Sequence, residues 1–144
     1  MLDTTPLGIL SNPNPTTAVL DCRRWLGDLV NAGCRIVVPE IADYEIRREY
    51  IRTGKTVSLQ LLDGLVATHE YIPISTPAMR IAAEIWAFAR NIGQQTAHNQ
   101  SLDCDVVLCA QAHALNDPNV IVATGNPAHL ARFVPAADWQ TIAP

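Results

Sequence analysis

The sequence predicts an α/β fold, and three observations predict it. Short β-branched runs alternate with longer segments whose apolar residues recur at helical spacing. Those runs are apolar throughout instead of alternating, the pattern of strands covered on both faces in a parallel sheet. Proline and glycine fall at the junctions, where helices start and stop. The 144 residues suit a single domain spanning 1–144.

Met1-Leu2 reads as the end of a first strand. The stretch Ser11-Asn12-Pro13-Asn14-Pro15 is a connection, and Asn14-Pro15 supplies an N-cap with proline in the first turn. Val19, Cys22, Leu26, Leu29 and Val30 then follow at helical spacing until Gly33 stops the helix. Arg35-Ile36-Val37-Val38-Pro39 is a buried strand, with helices after it over residues 40–52 and 56–69. Tyr71-Ile72-Pro73-Ile74 is a strand that its proline confines to an edge or terminal position, because proline has no N–H for the ladder. Thr76-Pro77 opens a helix with Ile81, Ile85, Phe88 and Ile92 as its inner stripe, closed by Gly93. A helix over 103–115 leads through Asn116-Asp117-Pro118-Asn119 into a strand over 120–124.

Hydrophobic residues at 49% and charged residues at 17% are an ordinary globular mixture. Ten Lys plus Arg against fourteen Asp plus Glu leave a net charge of −4, which argues against gripping nucleic acid through a broad basic surface. The first six residues have no basic n-region or apolar core, so no secretory signal is expected there. The apolar stretch over 81–92 is broken by Glu84 and Arg90, well short of the roughly 20 residues of a membrane span. Cys22, Cys34, Cys104 and Cys109 show no zinc or redox spacing and are expected as buried thiols of a cytoplasmic protein. His69, His98, His113 and His129 show no metal spacing either and are expected on the surface or in packing.

In a parallel α/β sheet ligands sit beyond the carboxyl ends of the strands. Four polar residues fall at that edge. Asp3 follows the first strand, and Asn126 follows the strand that ends at Thr124. Glu45 borders the apolar face of the helix after the second strand, four residues from Ile41. Asp105 heads the inward stripe of Leu108, Cys109, Ala112 and Leu115, and a carboxylate so aimed must be neutralised, hydrogen-bonded or bound to a cation. Such an oxygen set, without thiolate or imidazole, suits Mg²⁺ or Mn²⁺ and the metal-assisted hydrolysis of phosphodiesters. Asp103, two residues from Asp105 and so on a different helical face, is either a ligand or the N-cap of its helix. Arg47, Arg48 and Arg52 are either contacts for RNA phosphates or part of a solvated face with Glu49.

These segments resemble, in order along nearly the whole chain, a PIN-domain nuclease of the kind found in VapC toxins and their free-standing bacterial relatives. Leu2-Asp3-Thr4-Thr5-Pro6-Leu7 is similar to the family's opening aspartate with small hydroxyl residues. Val38-Pro39-Glu40-Ile41-Ala42-Asp43-Tyr44-Glu45-Ile46 is similar to the segment carrying the glutamate position, placed on Glu45. Leu102-Asp103-Cys104-Asp105-Val106-Val107 is similar to the helix opening with the third acidic position, best matched by Asp105, and Val122-Ala123-Thr124-Gly125-Asn126 to the turn with the fourth. The resemblance implies a three-layer α/β/α fold around a central, mainly parallel sheet. It also implies Mg²⁺- or Mn²⁺-dependent endonucleolytic cleavage of RNA, a homodimer and, in toxin members, a protein antitoxin. On it Asp3 and Asp105 are the principal metal ligands, Glu45 a ligand or water-orienting base, Asn126 a supporting ligand or hydrogen-bond donor, and Asp103 a further ligand or a residue that supports one. Thr4 and Thr124 would orient the carboxylates. The other expectation, favoured by an amide at Asn126 in place of a carboxylate, is a catalytically degenerate PIN-like module that binds RNA or a protein partner.

Overall fold

A computed structural model of the chain describes residues 1–94, 98 and 102–144. Its elements are α1 (Thr4–Leu10), α2 (Thr17–Asn31), β1 (Val37–Pro39), α3 (Glu40–Thr53), α4 (Thr56–Thr68), β2 (Glu70–Ile72), α5 (Thr76–Asn91), α6 (Cys104–Ala114), β3 (Val122–Thr124), α7 (Pro127–Leu130) and β4 (Ala136–Asp138), closed by a 3₁₀ turn at Trp139–Thr141.

The strands form two small parallel sheets, β1 with β2 and β3 with β4, and not one continuous sheet. Residues 1–3 run between them. Leu2 N–H donates to the Val37 carbonyl at 2.9 Å, while Asp3 N–H donates to Ala123 at 3.0 Å and Ala123 N–H to Met1 at 2.9 Å. Neighbouring strand residues point to opposite faces. Met1, Val37 and Val122 accordingly enter one apolar cluster with Ala82 of α5 and Val106, Val107 and Cys109 of α6. Leu2, Val38 and Ala123 enter a second, with Leu7 and Leu10 of α1, Cys22 and Leu26 of α2, Ile46 of α3 and Leu62 of α4. The extended segments thus carry apolar packing on both faces, as their unbroken β-branched composition requires. β2 pairs with β1 alone, the edge position that Pro73 predicts.

Several local expectations need correction. The helix expected from Asn14-Pro15 begins two residues later, because the Thr16 hydroxyl, not the Asn14 amide, accepts from Val19 N–H at 3.4 Å. Gly33 and Gly93 stop their helices as expected, with φ of +80° and +70°. The inner stripe read for α5 holds in half: Ile81 and Ile85 pack partly buried against the core, but Phe88 and Ile92 are exposed, and the fully buried positions are Ala78, Ala82 and Ala89. Small side chains let the backbones of α5 and α6 approach closely, and the burial follows the alanines. Three elements went unread, α1, α7 and β4. Pro6 lies in the first turn of α1, where a missing N–H costs nothing. Of the cysteines, all free, Cys22 and Cys109 are buried, Cys104 is half-buried and Cys34 is exposed. No described helix is long and apolar enough to cross a membrane.

Candidate functional site: an acidic cleft

Asp3 stands where the first extended segment ends, and it is the N-cap of α1. Its Oδ1 accepts from Thr4 N–H at 2.6 Å and from the Thr4 hydroxyl at 3.1 Å, while its Oδ2 accepts from the Thr124 hydroxyl at 2.6 Å. Thr124 is 1% exposed, and its own oxygen accepts from Asn126 N–H at 3.0 Å. Both oxygens of Asp3 are therefore fixed by hydroxyls that arrive from opposite ends of the chain. The turn after Thr124 comes close to α1: a Cβ on Gly125 would lie 2.6 Å from Thr5 Cγ2, so any larger residue would force the Thr5 side chain to shift.

Glu45 arrives from the second turn of α3 and Asp105 from the first turn of α6, where a helix N-terminus favours negative charge. Asp3, Glu45 and Asp105 line one narrow cleft with Thr4 and Cys104, above a floor of Ile41, Ala42 and Leu108. The carboxylates influence one another there. Burial raises the Glu45 carboxyl above its ordinary range; Arg48 opposes this, and the charges of Asp3 and Asp105 add to it. Burial also raises Asp105, followed by the charges of Asp3 and Asp103, with His129 pulling the other way from 3.6 Å. The Cys104 thiol is pushed up to about 11, chiefly by burial and then by Glu45, so it is a neutral group at pH 7.

Two sequence-predicted residues lie elsewhere. Asp103 is the N-cap of α6, accepting from Val106 N–H at 3.3 Å, and its carboxylate faces Arg90 at 3.9 Å. Asn126 is exposed and does not line the cleft, reaching it only through the bond from its backbone N–H to Thr124. Sequence reading missed three neighbours: His129, Cys104 and Arg48, whose guanidinium lies over the Tyr44 ring at 5.2 Å and whose charge acts on Glu45. Arg48 lies three residues after Glu45, a legible helical spacing, whereas nothing in the spacing of His129 announced Asp105 as its partner. Of the other arginines in that cluster, Arg47 is held by Asp43 and Asp63 and Arg52 by Glu49.

The oxygen donors of the cleft are chemically suited to Mg²⁺ or Mn²⁺. Their spacing does not yet suit one. Among the described residues no three His, Cys, Asp or Glu side chains stand close enough together to hold a metal ion. As arranged, the cleft gathers negative charge without closing a coordination sphere.

An α/β fold with hydroxyl-oriented carboxylates beyond the ends of its parallel strands is the class these features define. No family model matches the sequence, and no curated protein does. Solved structures do match. VapBC2 from Rickettsia felis, bound to a DNA fragment from its promoter, superposes with a TM-score of 0.75 at 19% identity, over 96% of this chain and 97% of that one. FitAcB from Neisseria gonorrhoeae gives 0.70 at 17%, over 98% of each chain. FitAB bound to the IR36 DNA fragment gives 0.70 at 18%, over 99% of this chain and 96% of that one. The chain therefore shares its fold with chains of the VapBC2, FitAcB and FitAB structures along nearly its whole length.

Proposed function

We propose that this chain is a PIN-fold module that works bound to a protein partner, and that its acidic cleft receives a basic side chain of that partner. The observation that carries this reading is the cleft itself: Asp3, Glu45 and Asp105 line one narrow recess in which burial and neighbouring negative charge raise Glu45 and Asp105, but they form no three-donor metal group among the described residues. A recess of partly buried like charges gains most from a cation brought into it. A guanidinium or ammonium group meets that need without the geometric demands of a metal, and the net charge of −4 favours a basic partner. The likeness to VapBC2, FitAcB and FitAB supports the partner.

A second reading, a divalent-metal-dependent endoribonuclease of the toxin kind, is favoured by a different observation. Asp3 is oriented at both oxygens by Thr4 and Thr124, an arrangement that prepares a carboxylate to serve as a ligand. In that reading Asp3, Glu45 and Asp105 would hold Mg²⁺ or Mn²⁺, with Asn126 and Asp103 in support. The ion would supply the positive charge and activated water that RNA hydrolysis needs.

Incubation of single-stranded and hairpin RNAs with the chain and Mn²⁺ separates the two readings. Intact RNA, or cleavage that persists equally in Asp3→Asn and Asp105→Asn, supports the partner-binding module. Cleavage by the unsubstituted chain that both variants lose overturns it in favour of the nuclease.

A further inference from the structure

We infer that a second site, remote in chemistry from the acidic cleft, binds a phosphate group at the start of α4. The chain leaves α3 through Gly54, whose φ of +67° is the left-handed conformation that glycine adopts most readily, and enters α4 at Thr56. The residue at the N-cap is Lys55, which makes no side-chain cap bond, and the first turn holds no acidic residue. Thr56 N–H is used by the Gly54 carbonyl at 3.0 Å and Leu59 N–H by Lys55 at 3.0 Å. The amides between them, Val57 and Ser58, donate to no carbonyl or side chain among the described residues.

The independent observation is Ser58. It is 6% exposed, it lines the pocket that opens at this turn, and its hydroxyl has no hydrogen-bond partner among the described residues. The residue is packed in while its hydroxyl opens to that pocket, where it is free to donate. Lys55 and Tyr50 complete one wall and Asn12 and Asn14 the other. The Lys55 ammonium rests 5.7 Å from the Tyr50 ring. The nearby carboxylate of Glu49 is already held by Arg52.

Two free amides at the positive end of a helix, an unpartnered hydroxyl and an ammonium group offer four donors and a positive field, with no acidic residue in the first turn. This is the chemistry that recognises a phosphate oxyanion. The phosphate is either a free ion or the terminal phosphate of a nucleotide strand, and the donors are the same for both.

Titrating the full ¹⁵N-labelled chain with sodium phosphate at constant ionic strength tests the inference through the amide resonances of Val57 and Ser58. The expected result is saturable movement of those two signals. Ser58→Ala should weaken binding about tenfold, the effect of one lost charge-assisted hydrogen bond. Lys55→Asp places a capping carboxylate at the N-cap: it should raise the thermal midpoint while abolishing the phosphate response, so loss of binding and loss of fold are told apart. Parallel titrations with a 5′-phosphorylated dinucleotide and its unphosphorylated counterpart identify the source. Saturation by inorganic phosphate indicates the free ion, and saturation by the phosphorylated dinucleotide alone a strand end. No saturable movement with either phosphate probe, equal movement with the unphosphorylated dinucleotide, or an undiminished response in Lys55→Asp overturns the inference.

Discussion

At the scale of single residues, the cleft stores unfavourable charge. Glu45 and Asp105 both hold their protons more tightly in the folded chain than free carboxyls do, for reasons of burial first and neighbouring charge second. The sign of the consequence follows. As pH rises through the ordinary carboxylate range, the unfolded chain loses these protons before the folded chain does, so the two groups make stability fall until both states are ionised. Neutralising them together, by Glu45→Gln and Asp105→Asn, should raise the thermal midpoint at pH 7 relative to the unsubstituted chain. The advantage should disappear below about pH 4, where the unfolded carboxyls are themselves protonated. Equal midpoints at pH 7 would show that the cleft carries no such repulsion. Asp103 belongs to a different account, since its carboxylate caps α6 and faces Arg90.

Among the elements, α3 shows how a site-bearing helix is held when its own sequence cannot cap it. Pro39 occupies the N-cap and has no side chain able to accept from the first turn. Gln111 of α6, 2% exposed, takes over: its Oε1 accepts from Ile41 N–H at 3.2 Å, and its Nε2 donates to the Ile72 carbonyl of β2 at 2.9 Å. One buried amide thereby fixes the helix that carries Glu45 to the helix that carries Asp105 and to a strand. Gln111→Met keeps the volume and strands both partners, which should cost about 1–3 kcal/mol for each polar group left unpaired, read by urea denaturation. Ordinary surface-substitution values there would remove Gln111 from this role. The ends of α2 and α5 were legible because Gly33 and Gly93 are local signals, each with a positive φ just past its helix. The inner face of α5 was legible only in part: Ile81 and Ile85 do pack on the core, but hydrophobic size also pointed to Phe88 and Ile92, whereas close approach to α6 selects alanine. β4 was equally hidden, since Ala136-Ala137-Asp138 has no strand signature and is extended because β3 pairs with it.

For the molecule as a whole, residues 1–3 join what would otherwise be two separate pairs of strands, and they end on the aspartate of the cleft. Leu2, 2% exposed, packs in the cluster shared with Val38, Ala123 and Trp139. Leu2→Ala should cost about 2–5 kcal/mol by urea denaturation. The transition should stay single, because one connection serves both sheets; two separate transitions would show that the sheets fold independently. The order of the acidic positions was readable in the sequence, since Asp3, Glu45 and Asp105 each follow a recognisable segment end. Their environment was not, because Thr124 and His129 meet them only through the fold. The most direct test of a cation-receiving cleft is a ¹³C NMR titration of the Glu45 and Asp105 carboxyls in the free chain and again with Mg²⁺ or argininamide. Both carboxyls should titrate above their ordinary range when free and move down when a cation that fits is added, argininamide under the partner-binding reading and Mg²⁺ under the nuclease reading. Ordinary values that neither cation moves would contradict the account.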